Sequence, residues 1–204
     1  MKQQLIDMLA LQDKMNTKVH PQWREQGYEW YRAIWTECAE LMDHFGWKWW
    51  KKQNPDLPQI QLEIVDIWHF GMSILLQHSN DYDALASALL PEWKSAGSTT
   101  DFRVAVEQLA SHVLTTQQFS LPLFCQLMEL TDFDSDQLYR QYVGKNVLNF
   151  FRQDHGYKEG TYHKQWHGKE DNEHLAEVLA SIDASAGHLQ EKVYQELEKR
   201  YPSA

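Results

Sequence analysis

Long apolar runs are missing from this chain of 204 residues. Stretches such as "GMSILL" fall far short of the roughly 20 residues that a membrane-spanning helix needs, so no membrane partner is expected. The first residues, "MKQQLIDMLALQDKMN", carry charge throughout and lack the apolar block of a signal peptide. Cysteine is scarce, and Cys38 and Cys125 are too few for a disulfide framework. These absences lead to the expectation of a cytoplasmic protein. Positive charge is short as well: the formal net charge is −10. That balance argues against gripping the phosphate backbone of DNA or RNA as the main task. A nucleotide ligand is not excluded, because it meets a local field whose sign divalent metals can reverse. Alternation of apolar and polar residues is absent too, as are fixed-period repeats and low-complexity tails.

What is present is helical periodicity. Leu5, Met8, Leu9 and Met15 form one apolar stripe, and Trp30, Ala33, Ile34, Cys38, Leu41 and Met42 form another. Residues 59–77 are apolar nearly all round, as in a buried central helix. Further helices are expected near 81–91, 101–116, 119–131, 135–153, 172–183 and 186–200, with Thr100 or Asp101, Ser135 and Asn172 as candidate caps. The chain therefore reads as an all-α protein, a helical bundle. Residues 80–134 hold ordinary amphipathic helices without a convergent polar cluster. They are expected as a small helical insertion or mobile subdomain, with 1–79 and 135–204 forming a rigid helical core.

Two acidic pairs stand out. Glu37 and Glu40 lie in "WTECAELMDHFGWKWWKK", and Glu63 and Asp66 in "LEIVDIWHF". Residues three apart share a helix face, and the short "NPDLP" connection suits an antiparallel helix pair. If the helices pack, four carboxylates converge. A lone ExxE usually marks a solvated face, but Asp66 sits between Val65 and Ile67, where an unpartnered acid is costly. A hard divalent cation is the natural counter-charge, and Mg²⁺, which takes oxygen ligands and is completed by substrate phosphates, fits best. Asp66 and His69 form only one carboxylate-x-x-His motif, and Asp43 stands where a second His would be needed, so di-iron chemistry fits poorly.

Downstream, "GKNVLNFFRQDHGYKEGTYHKQWHGKEDN" places Lys145, Asn149 and Arg152 on one helix face. Gly156 is positioned to end that helix, and a loop carrying Tyr157, Lys158, Tyr162, Lys164, Trp166 and Lys169 follows. A cationic face beside such a loop suits a polyphosphate. The loop has little core to pack on, so it is expected to be mobile until a ligand orders it.

These segments, together with "LQDKMN", occur in the order seen in the dimeric all-α dUTPases of the all-α NTP pyrophosphatase superfamily, which the chain resembles over roughly half its length. The resemblance implies hydrolysis of dUTP, and of dUDP, to dUMP, an activity that limits uracil in DNA and supplies dUMP for thymidylate synthesis. It implies a homodimer and two or three Mg²⁺ ions per site. By it, Glu37, Glu40, Glu63 and Asp66 match the metal-binding acids, with Glu40 and Glu37 as catalytic candidates and Glu40 the better one to orient or deprotonate the attacking water. Lys145, Arg152, Tyr157, Lys158 and Lys164 match phosphate contacts. Gln12, Asn16, Trp50, His69, Asn149 and Asn172 match the region for base and sugar. Of Trp47, Trp49 and Trp50, at most one or two are expected to touch ligand and the rest to pack the core. Cys38, between the metal acids, is expected only to pack. Two other readings stay open: a related pyrophosphatase for another nucleotide such as dCTP, and a non-catalytic helical dimer acting through protein partners.

Overall fold

A computed structural model of the chain describes residues 1–94, 99–182 and 188–202. Among the described residues there are nine α-helices and one small hairpin, so the fold is all-α as expected. Two compact units divide between Leu138 and Tyr139, inside α7.

The first unit holds α1 (Lys2–Val19), α2 (Trp30–Phe45), α3 (Leu57–Leu76), α4 (Tyr82–Leu89), α5 (Phe102–Thr116), α6 (Leu121–Leu130) and the start of α7 (Ser135–Asp154). α3 is the expected buried helix. Ile60, Ile64, Val65, Ile67, Trp68, Met72 and Leu76 are all buried, and the Asp56 side chain accepts from the Gln59 N–H at its start. Trp68 lies against Phe124 with ring centres 5.2 Å apart; truncating a buried indole of this kind to alanine costs about 3–5 kcal/mol. Gly71 lets α3 approach Phe119, since a Cβ there would stand 2.8 Å from that ring. α2 packs on both α3 and α5. Residues 80–134, expected as an insertion, thus lie within the first unit, with α5 on α2 and α6 on α5.

One buried carboxylate ties several of these segments together. Asp13 accepts from Trp23 Nε1 at 3.0 Å, Arg24 Nη2 at 2.6 Å and the Tyr82 hydroxyl at 2.7 Å. Arg24 Nε also donates to the Leu76 carbonyl at the end of α3. Burial alone would raise the Asp13 carboxyl, but Arg24, Tyr82 and Trp23 outweigh it and hold it below the usual range.

The second unit, residues 139–204, contains the rest of α7, β1 (Gln165–Trp166), β2 (Lys169–Glu170), α8 (Asp171–Ser181) and α9 (Leu189–Arg200). Val147, Leu148, Phe151, Trp166, Leu175, Val178, Val193 and Leu197 make its core. Gly144 permits close packing of α7 on α8, because a Cβ there would meet Leu179 Cδ1 at 2.7 Å. α7 ends as expected at Gly156, with φ +84. The Tyr157 N–H reaches back to the Arg152 carbonyl and the Gly156 N–H to that of Gln153, which together close the last turn.

Some details differ from the sequence reading. Asp101, not Thr100, caps α5, through the Arg103 N–H. α7 is capped by Asp134, whose Oδ1 accepts from the Asp136 and Gln137 N–H groups, rather than by Ser135. Glu170 caps α8, its N–H held by the Glu173 side chain, so Asn172 is already helical and does not cap. The expected limits at 183 and 186 lie outside the described residues. The Lys/Tyr loop also packs more than its composition suggests. Trp166 is fully buried, stacked on His174 with ring centres 5.1 Å apart. His167 and Gly168, both at positive φ, form the two-residue turn that brings Lys169 opposite Trp166.

Candidate active site

The acids of α2 and α3 meet as the spacing requires, with one exception. One carboxylate oxygen from each of Glu37, Glu63 and Asp66 lies within 4.8 Å of the other two. Glu63 is buried and the other two are half-buried. Glu40 is exposed and stands outside this group of three. Its charge still reaches Glu37, whose carboxyl is pushed up to about 9. Burial is the largest cause, followed by the Asp66 charge, a hydrogen bond with Glu63, the Glu63 charge and that of Glu40. Cys38 beside it is buried, and burial with the Glu37 charge pushes its thiol up to about 12. Such a thiol is a packing group and not a nucleophile.

A residue that the sequence reading passed over sits beside the acids. His44, in the last turn of α2, places Nε2 3.4 Å from Glu63 Oε1. The signal was present: seven residues are two turns, so His44 lies only about 20° around the helix from Glu37, whereas Glu40 lies about 60° away.

A second polar cluster in the same unit joins α1 to α3. Gln12 Nε2 donates to Asn16 Oδ1 at 2.9 Å and to Ser73 Oγ at 3.1 Å. Asn16 Nδ2 donates to Ser73 Oγ at 3.0 Å, and His69 Nδ1 lies 2.8 Å from Gln12 Oε1. All four side chains are buried. The structure therefore brings Gln12, Asn16 and His69 together and adds Ser73, one turn beyond His69, whose hydroxyl also donates to the His69 carbonyl.

The tryptophans of "GWKWWKK" behave otherwise. Trp47, Trp49 and Trp50 are 44, 90 and 57% exposed, so none of them packs in the core as was expected for at least one. They meet edge to face, Trp50 lying 5.3 Å from each of the other two, and Trp47 Nε1 donates to Asp43. The loop they occupy leaves α2 at Gly46, whose φ of +91 and approach to Gln53 suit glycine. Its carbonyl is gripped by Arg103 of α5.

In the second unit the cationic residues already have partners. Arg152 makes a two-pronged ion pair with Asp171, through Nε at 2.8 Å and Nη2 at 2.9 Å, while Nη1 donates to Asn149 at 3.2 Å. Asn172 Oδ1 accepts from Lys145 Nζ at 3.3 Å and from Arg152 Nη2 at 3.5 Å. The Tyr162 hydroxyl donates to Asp171 as well. Burial alone would raise Asp171, but Arg152 and Tyr162 overcome it and hold the carboxyl below its usual range. Lys145, Asn149, Arg152 and Asn172 thus share one network, and Asp171 and Tyr162, not foreseen as members, organise it. Tyr157 is about half exposed, with the Arg152 guanidinium 5.9 Å from its ring centre. Lys158 is exposed, and Lys164 pairs with Glu170 at 3.3 Å.

Comparison with known families gives a match. A family model described as dUTPase covers residues 4–157. The search among curated proteins returned no match.

Proposed function

From the premise that the chain belongs to the dUTPase family, in its all-α form, and is a dUTP diphosphatase, we propose that it works with Mg²⁺, two or three ions per site, held by Glu37, Glu63 and Asp66 with Glu40 beside them. The products are dUMP and pyrophosphate, and dUDP is hydrolysed in the same way with release of phosphate. The observation that carries this reading is the three-acid group. Its donors are all oxygens, as Mg²⁺ prefers, and burial together with the neighbouring acids pushes the Glu37 carboxyl up to about 9, favouring a proton that a divalent cation would displace. Bound there, Mg²⁺ would neutralise phosphate charge and acidify a water molecule.

The protein's own groups do the rest. Glu40, exposed one turn beyond Glu37, orients the attacking water and accepts its proton. The water oxygen bonds to phosphorus as the phosphoanhydride bond breaks, so no nucleophilic side chain is used. Lys145, Arg152, Tyr157, Lys158 and Lys164 bind the phosphates. Arg152 does so from a guanidinium that Asp171 has already oriented. The amides of Gln12 and Asn16, with His69, Trp50, Asn149 and Asn172, read base and sugar. A buried amide network discriminates well, because a wrong base edge leaves polar groups unpaired. The working form is a homodimer in the cytoplasm.

Turnover of dUTP, dUDP, dCTP and dTTP, with Mg²⁺ and then with EDTA, tests the proposal. Hydrolysis of dUTP above the others, abolished by EDTA and restored by Mg²⁺, is expected. A faster rate on dCTP would assign the site to a related pyrophosphatase, and an unchanged rate in EDTA would remove the metal. Light scattering at micromolar concentration tests the dimer, which a monomer mass would refute.

A further inference from the structure

His44 touches the acidic group but has no part in the reaction described above. Its backbone and its side chain bridge α2 to α3 separately. The His44 carbonyl accepts from the Asp56 N–H at 3.0 Å, which fixes the start of α3. The imidazole Nε2 stands 3.4 Å from Glu63 Oε1, a separation that a small rotation turns into a hydrogen bond. Glu63 is nearly closed off from solvent, and its carboxylate also shares a hydrogen bond with Glu37. A carboxylate approached in this way at one oxygen cannot swing freely about its last torsion. Its other oxygen is then aimed by the neighbours and not by chance.

We propose that His44 is a positioning residue for Glu63: its Nε2–H donates to Oε1, and this holds the Glu63 carboxylate in the orientation that a divalent cation needs. The inference rests on the reading of Glu37, Glu63 and Asp66 as a metal site. Hydrogen-bonded partners of metal-binding carboxylates characteristically alter affinity by about 10–100-fold when removed. Because the backbone bond to Asp56 does not depend on the side chain, substitution at His44 separates the aiming of Glu63 from the placing of α3.

The test is a titration of the full chain with Mn²⁺ in the absence of nucleotide, free Mn²⁺ being read by electron paramagnetic resonance, on wild type, His44→Ala and His44→Gln. His44→Ala is expected to weaken Mn²⁺ binding about tenfold or more with an unchanged melting temperature. His44→Gln, which keeps an N–H donor, is expected to recover most of the loss. The Mg²⁺ concentration needed for half-maximal turnover should rise in the alanine variant, while the rate at saturating Mg²⁺ stays near that of wild type. Wild-type affinity in His44→Ala would overturn the role, as would a glutamine variant no better than alanine. A lower melting temperature with unaltered Mn²⁺ binding would reassign His44 to the fold, and so overturn it too. A wild-type chain that binds no Mn²⁺ would remove the metal site itself, whereas wild-type binding indifferent to His44 removes only the positioning role.

Discussion

On α2 and α3, burial and then the crowding of neighbouring acids push the Glu37 carboxyl up to about 9. At the start of α8 a single carboxylate, Asp171, is met on both oxygens by Arg152 and again by Tyr162, and stays ionised below the usual range. Both groups remove acids from water, yet burial wins in the first and the partner wins in the second. Acids pressed against acids do little for stability, so the first arrangement makes sense as a place prepared for a cation. The second is complete within its own unit. It orders Arg152 and the loop through Tyr162, as the proposed phosphate contact would require.

The contrast can be broken at either end. The largest effect is expected from Glu63→Ala and Asp66→Ala, which should each lower turnover by roughly 10²–10³-fold or more, the scale of losing a principal electrostatic contact in a reacting site. Their thermal stability should hold or rise, because mutual repulsion is relieved. Near-wild-type rates in both would end the shared-site reading. Asp171→Ala should act the other way round, lowering unfolding free energy by about 3–5 kcal/mol in urea titrations, since it strands the guanidinium of Arg152 away from water. A loss below the error of the titration would mean that the ion pair is ornamental.

pH sharpens the comparison, because the two groups have opposite signs. Glu37 is raised, so its contribution is whole below its ordinary value of 4.5 and is lost as pH climbs through about 9. Asp171 is lowered from 3.8, so its contribution is present above that value and is lost as pH falls through its still lower folded value. Calorimetry of the metal-free chain should therefore show stability falling between about pH 5 and 9 from the first group. Mg²⁺ should raise the melting temperature by more at pH 9 than at pH 5. A Mg²⁺ effect independent of pH would contradict displacement of a proton. The smallest effect is expected at Trp49, which touches both groups' stability least. Trp49→Ala should change unfolding free energy by no more than about 0.5 kcal/mol, as for surface positions generally, and a larger loss would show that the exposed indole packs in solution.

Periodicity carried most of the fold because apolar stripes at helical spacing leave few alternatives, as in α3, where Ile60, Ile64, Ile67, Trp68, Met72 and Leu76 recur on the buried side. It carried the acids of α2 only in part. Glu37 and Glu40 share a face loosely, and the apolar phase set by Ile34, Cys38 and Leu41 turns Glu37 inward and leaves Glu40 in water. Ser73 escaped notice because a hydroxyl declares no chemistry until its partners are known. Asp171 was hidden by its neighbour Asn172, and its partner Arg152 is 19 residues away. The tryptophans misled for a different reason. Hydrophobicity suggests burial, but the loop that begins at Gly46 carries them outward, and composition says nothing of that direction.

Trp166 gives the second unit its own optical signature. It is the one indole in the sequence from residue 139 onward, out of nine in the chain, and it is shut away from solvent against His174 and Phe151. With the other eight replaced by phenylalanine or tyrosine, its emission would report on that unit alone. Its wavelength would stay blue while β1 remains seated and shift red when the loop lifts. The same side chain that closes the core thus doubles as a lamp for watching the segment that carries Lys158 and Lys164.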